Sequence, residues 1–158
     1  MGAKNLVCLS LVLVAVAVAQ AHAADICAKA DYAALCRSMV KGAGNNPVAA
    51  TRAGIEKLIL ATKIAREARL KSAKSGALGV CKETFANAIS ELKMGLDYLQ
   101  KKDKDSLNIE LSGAMTDYTT CDDAIAESGV VGKAVGIVKI DRTLLNMASN
   151  CLYLSTLT

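Results

Sequence analysis

The chain has 158 residues, with 19 Lys and Arg against 15 Asp and Glu, one His, one Pro, one Phe and no Trp. Apolar residues make up 53% and aromatics 3%, so stacking platforms for bases or flat cofactors are short of material. A length like this reads as one domain, and an Ala/Leu/Lys-rich chain with one Pro reads as helical rather than as a sandwich or barrel of many strands.

Residues 1–23 read as a signal peptide. Lys4 supplies a positive start, Leu6 to Ala19 is almost unbroken apolar sequence, and Ala21-His22-Ala23 forms a small-x-small cleavage pattern. The apolar run is shorter than the roughly 18–20 residues of a spanning helix, and no later stretch is long and apolar enough to span. The expected product is therefore secreted or lumenal, without a membrane segment in its mature form. Cleavage removes His22, Cys8 and Lys4. The remainder has no histidine, 18 basic against 15 acidic residues, and five cysteines: Cys27, Cys36, Cys81, Cys121 and Cys151. Its mild, interspersed positive charge of +3 does not point to nucleic acid. Five cysteines in an oxidising compartment imply two disulfides and one odd thiol. Their spacing fits no CxxC-type zinc site, and no His is left to complete one. No metal or other cofactor is expected, and no Asn-x-Ser/Thr sequon invites glycosylation.

Residues 24–46 read as a short helical hairpin and loop. On one straight helix Cys27 and Cys36 would lie about 13 Å apart, whereas a disulfide needs Cα atoms within about 7 Å. A bond between them would require the chain to fold back in short helical turns. Lys41-Gly-Ala-Gly-Asn-Asn46 is a loop.

Residues 47–158 carry four amphipathic segments. Asn46 is a natural N-cap and Pro47 a natural first helical residue. From there to about Ser72 the residues Ile55, Leu58, Ile59, Thr62, Ala65 and Ala68 share one side, and Ser75-Gly76 ends the segment. Cys81, Phe85, Ala88/Ile89, Leu92, Leu96 and Leu99 then step by three and four. Lys101 to Asp105 is a charged turn, a solubilising loop rather than a finger into another protein's site. Leu107, Leu111, Ala114, Tyr118, Cys121 and Ile125 repeat the same spacing. Ser128-Gly129 breaks it. The last segment, from about Lys133 to Leu157, shows Val135, Val138, Leu145, Ala148 and Leu152, with Asp141 and Arg142 interrupting the stripe. Gly129, Gly132 and Gly136 blur its start.

Four such segments with short connections predict an all-α, antiparallel up-down-up-down four-helix bundle. Cys81 precedes Lys101 by as many residues as Cys121 follows it, so a pair of helices turning there brings the two cysteines side by side, both in phase with the apolar seam. Register and phase thus select a Cys81–Cys121 bond between the second and third bundle helices. Cys151, in step with Leu144 and Ala148, is then the odd thiol and reads as a buried core residue.

Little in the sequence carries catalysis. No His-based triad is possible after cleavage. Asp122-Asp123 and Asp103/Asp105 are carboxylate pairs near helix ends, where a solvated surface is their ordinary home, and adjacent helix residues do not face each other. The seam offers Leu, Ala, Ile, Cys and Tyr rather than the Glu and Glu-x-x-His of a metal-binding bundle. A membrane-lytic bundle would want a strongly cationic face with Trp or Phe anchors. A stapled helical surface that binds another protein needs only exposed helix faces and loops, and that is the class left.

Ordered fragments then carry a resemblance. They are Ile26-Cys27, Tyr32-x-x-x-Cys36, Cys81-Lys-Glu83-Thr-Phe85-x-x-Ala88, Ser106-Leu107-Asn108-Ile109 ahead of Leu111-Ser112-Gly113-Ala114, Thr120-Cys121-Asp122-Asp123, and Ser149-Asn150. Behind a signal peptide, this set resembles the plant invertase / pectin methylesterase inhibitor family over residues 25–157. The resemblance implies one inhibitor domain: a four-helix bundle behind an N-terminal hairpin, with disulfides Cys27–Cys36 and Cys81–Cys121. It implies a proteinaceous inhibitor of the apoplast and cell wall, or of the vacuole, not an enzyme. Such a protein, expected as a monomer, covers a carbohydrate-processing enzyme's cleft in a non-covalent 1:1 complex. The Pro-Lys-Phe motif of invertase-directed members is absent, and Ser106 to Ile109 looks more like the pectin methylesterase branch. Pectin methylesterase is the expected partner, acid invertase the alternative, and a family member with neither activity the third reading. Thr120 and Asp123, flanking Cys121, are the expected contact residues, joined by Glu83 and Thr84 on the opposed helix end. Glycines at 129–136 stand where the family has a Pro-containing loop.

Overall fold

In a computed structural model the described residues are 25–71, 73, 76–129 and 131–158. The expected signal peptide, residues 1–23, lies outside them. After helical turns at residues 26–31 come α1 (Ala33–Met39), α2 (Pro47–Leu70), α3 (Gly76–Lys101), α4 (Lys104–Glu127) and α5 (Val131–Thr156). No strand occurs among the described residues. The contacts run α2–α3, α3–α4, α4–α5 and α5–α2, a closed ring of neighbours, and α1 rests on α5 and α2. This is the antiparallel four-helix bundle that the periodicity predicts.

Local chemistry sets the helix ends. Asn46 Oδ1 accepts the Ala49 N–H at 2.9 Å and Pro47 occupies the first turn, so α2 begins where a side-chain acceptor replaces an absent carbonyl. The α3–α4 turn is tighter than its charged sequence suggests. Lys102 takes a left-handed backbone (φ 59°), and the Asp103 N–H reaches back to Tyr98 O at 3.0 Å, closing α3 with a Schellman-type cap. Asp103 then caps α4 by accepting the Ser106 N–H at 3.1 Å. Gly129 (φ 68°) supplies the left-handed residue after α4.

The core follows the seams read from sequence on α3 and α4. Cys81, Phe85, Ala88, Leu92 and Leu99 are buried, as are Leu107, Leu111, Ala114, Tyr118, Cys121 and Ile125. Phe85 and Tyr118 meet edge to face at 5.7 Å between centroids, a geometry that aromatic quadrupoles favour. Tyr118 Oη lies 2.6 Å from Thr62 Oγ1, and Thr62 itself donates to Leu58 O at 2.8 Å.

Two stripes depart from expectation. On α2, Ala68 is exposed and the seam ends instead at Leu70. On α5 the buried stripe is Ala134, Ile137, Asp141, Leu144, Ala148, Cys151 and Ser155, whereas Val135 is 59% exposed and Val138, Leu145 and Leu152 are half-buried. Ala148 is buried as expected; the rest of the expected stripe lies one residue off. Three-four steps back from Cys151 land on Asp141, so the carboxyl does not interrupt the seam but belongs to it. The α2–α5 contact is close because Gly54 faces it: a Cβ there would meet Leu154 Cδ1 at 3.3 Å and Cys151 Sγ at 3.4 Å.

Candidate functional site

The first disulfide, Cys27–Cys36, closes the N-terminal hairpin with Cα atoms 5.7 Å apart. The fold-back that such a bond requires comes from the turns at residues 26–31 ahead of α1. Asn150, fully buried on α5, holds this hairpin by its backbone. Its Oδ1 accepts the Tyr32 N–H at 3.4 Å and its Nδ2 donates to Tyr32 O at 3.1 Å. Tyr153 Oη donates to Ile26 O at 2.9 Å and Ser149 Oγ to Asp31 Oδ2 at 3.1 Å. At the hairpin's outer edge Arg37 pairs with Asp25 at 2.6 Å, which holds the Asp25 carboxyl below its usual range.

The second disulfide, Cys81–Cys121, ties α3 to α4 at the end away from their turn, with Cα atoms 4.5 Å apart. It sets a register in which Glu83 is level with Thr119. Glu83, Thr120 and Asp123 are exposed at this end. Thr120 Oγ1 donates to Thr116 O at 2.8 Å, which leaves its lone pairs and methyl outward. Thr84 does not join them. It is only 7% exposed and its hydroxyl donates to Cys81 O at 3.3 Å, because position 84 lies on the inner side of α3 beside Phe85. Glu83 instead rims a shallow groove of about 560 Å³ between α2 and α3, beside Arg66, Lys82 and Asn87. Arg66 Nε donates to Lys82 O at 3.1 Å, and Lys82 Nζ caps Lys71 O at 2.9 Å. Next to Asp123, Asp122 faces Arg142 of α5 at 4.0 Å.

Two of the three turn lysines are engaged within the molecule. Lys101 pairs with Asp97 at 2.6 Å and lies over the Tyr98 ring, and Lys104 donates to the Thr156 and Thr158 carbonyls at 2.8 and 3.2 Å. Cys151 is buried and unbonded, and burial pushes its thiol pKa far up, so it has no thiolate character near neutrality.

Three carboxyls lie where the seam was expected to hold none. Asp141 is fully buried, and burial, reinforced by Asp122, pushes its pKa to about 8 against the pull of Arg142. Glu91 of α3 and Asp117 of α4 face each other across their seam, half-buried. Burial and the nearby Asp117 and Glu110 raise Glu91 to about 7; burial raises Asp117, while Glu91 and Asn87 oppose that shift by hydrogen bonding. The register makes this pair: Asn87 and Glu91 lie one turn apart on α3, Gly113 and Asp117 one turn apart on α4, and helical side chains lean toward their own N-terminus. Gly113 makes the room, since a Cβ there would sit 2.6 Å from Glu91 Oε1.

No group of three or more metal-ligating side chains occurs among the described residues, and no described helix is long and apolar enough to cross a membrane. What stands out is a closed core stapled at two places, with Glu83, Thr120 and Asp123 exposed beside the second staple.

A family model described as plant invertase/pectin methylesterase inhibitor matches residues 21–154, nearly the whole bundle and its hairpin. The chain belongs to this inhibitor family. A solved structure of a mutant form of a pectin methylesterase inhibitor from Arabidopsis is similar to it, with a TM-score of 0.68 at 20% identity, over 83% of this chain and 93% of that one. At that identity the likeness bears on the fold, which it shares over almost the whole of the Arabidopsis chain. No curated protein gives a significant match.

Proposed function

We propose that this chain is a secreted proteinaceous inhibitor of pectin methylesterase that occludes the enzyme's active-site cleft in a non-covalent 1:1 complex. The observation that carries this reading is the family match across residues 21–154, which embraces the hairpin, both disulfides and all but the last residues of α5. The lack of a Pro-Lys-Phe motif favours pectin methylesterase over acid invertase, and the Arabidopsis protein of like fold is named for the same target.

The contact surface in this proposal is the disulfide end of α3 and α4, where Glu83, Thr120 and Asp123 are exposed. The Cys81–Cys121 bond beneath them holds the two helices in one register, so the surface reaches the partner pre-organised and loses little freedom on binding. The protein acts outside the cell, in the wall, or in the vacuole, and inhibits as a monomer.

Titration of a plant pectin methylesterase with the oxidised protein at mildly acidic pH tests the reading. Activity should fall stoichiometrically, reaching its floor near one inhibitor per enzyme. Acid invertase is assayed beside it, since the family description names both targets. Inhibition of invertase alone would reassign the target, and no effect on either enzyme at micromolar inhibitor would remove the inhibitory reading altogether.

A further inference from the structure

We propose that Asp141 and the Glu91–Asp117 pair make this an acid-stabilised bundle, a fold that is tight while these carboxyls hold protons and loosens as its surroundings turn neutral to alkaline. The proposal stands whichever enzyme is the target. It begins with geometry. Asp141 is 0% exposed, and neither of its oxygens has a hydrogen-bond partner among the described residues. The charges that act on it are Asp122 from α4, which repels, and Arg142 on its own helix, which attracts. Tyr118 of α4 feels Asp141 in turn. α1 and α2, the other elements packed on α5, bring no charge that acts on it. A neutral carboxylic acid is tolerated in such a place far better than an unpaired anion.

The second part is the pair. Glu91 Oε2 and Asp117 Oδ2 are buried without a donor partner, and the groups acting on the pair are acidic or neutral: Glu110 from α4 and Asn87 from α3. One proton shared between two facing carboxyls satisfies both and bridges α3 to α4; its loss leaves two like charges across the seam. Gly113 keeps the notch open for Glu91.

Each of these groups binds its proton more tightly folded than unfolded. Between the unfolded and folded pKa values the unfolded chain has shed a proton that the folded chain retains, so stability falls as pH rises. For Asp141 that window runs from 3.8 to about 8, and for Glu91 from 4.5 to about 7. Asp25 and Asp103, held low by Arg37 and Ser106, act with the opposite sign at more acidic pH. The only histidine is His22, so no imidazole among residues 25–158 contributes in this range.

The test is urea unfolding of the oxidised protein from pH 5 to pH 8, beside Asp141→Asn, Asp141→Leu and Glu91→Gln. Asp141→Leu keeps the branched shape of the side chain without polar atoms, in case the buried amide of Asp141→Asn packs poorly. One retained proton changes the unfolding constant up to about tenfold per pH unit. The wild-type constant should therefore rise about 100-fold or more across the range. Either Asp141 variant should remove the slope above pH 7, and Glu91→Gln should flatten it below pH 7. A wild-type rise of tenfold or less, or an unchanged slope in both Asp141 variants, would overturn the proposal.

Discussion

Replacing Cys81 and Cys121 together with Ala should cost this protein more stability than replacing Cys27 and Cys36. Both bonds are intrachain staples, but they close loops of different size, with sequence separations of 40 and 9. In the chain-entropy account a cross-link stabilises by restricting the unfolded ensemble, and the restriction grows with the logarithm of the loop length. That gives about 4 kcal/mol for the longer loop and about 2.5 kcal/mol for the shorter. All four cysteines are fully buried, so lost packing adds to both figures and leaves their order unchanged. At roughly 3–4 °C per kcal/mol for a domain of this size, the Cys81→Ala/Cys121→Ala protein should melt about 12–16 °C lower. In urea its midpoint should fall and its m-value rise, because an unlinked unfolded chain exposes more surface. The opposite ranking of the two double variants, or an unchanged m-value in the Cys81/Cys121 variant, would refute the reasoning. The outcome also bears on binding: if the bond pre-organises the α3–α4 end, the variant should inhibit less well even at temperatures where it remains folded.

Three further outcomes follow from particular contacts. Asn150→Ala removes both hydrogen bonds to the Tyr32 backbone; Tyr32 O keeps the Cys36 N–H at 2.8 Å, so the Tyr32 N–H alone loses its partner. The expected loss is about 2 kcal/mol; hydrogen exchange should show it as faster opening of residues 26–40 ahead of the bundle. Gly113→Ala drives Glu91 out of its notch, since the new Cβ would lie 2.6 Å from Oε1. Relief of a mid-helix glycine is worth about 1 kcal/mol, so denaturation at pH 8 should show equal or greater stability, with a flatter pH dependence near pH 7. Tyr118→Phe deletes one hydrogen bond to Thr62 while Thr62 keeps its bond to Leu58 O. The expected cost is about 1 kcal/mol, and a double-mutant cycle with Thr62→Val should recover most of it as coupling.

Much of the fold was legible because the helices signal themselves locally. Asn46-Pro47, the turn at Lys101–Asp103 and the three-four spacing of Cys81 to Leu99 and Leu107 to Ile125 each have a short-range physical cause. The Cys81–Cys121 pairing was legible for a related reason: equal distances from one tight turn bring two positions together in any antiparallel pair. The α5 stripe was harder. Val135, Val138, Leu145 and Leu152 formed a plausible apolar face, and hydrophobicity alone ranked it above a stripe holding Asp141. The thread that led to Asp141 was Cys151, Ala148 and Leu144, whose spacing points back to it. Thr84 shares the helix end of Glu83 but not its face, because adjacent helix positions point about 100° apart.

The sequence by itself determined the class of molecule: a helical bundle with two staples and one spare thiol, and no histidine among residues 25–158. Those properties depend on composition and on spacing within a helix or across one turn. The tertiary structure decided which carboxyls lie inside. Asp141 is buried because α2 and α4 close over its side of α5, and Glu91 meets Asp117 because the α3–α4 register brings two turns level above a glycine. Neither fact has a signature along one helix, because each depends on how neighbouring helices are rotated about their own axes. That rotation is set by packing, and the packing is cast by all four helices together.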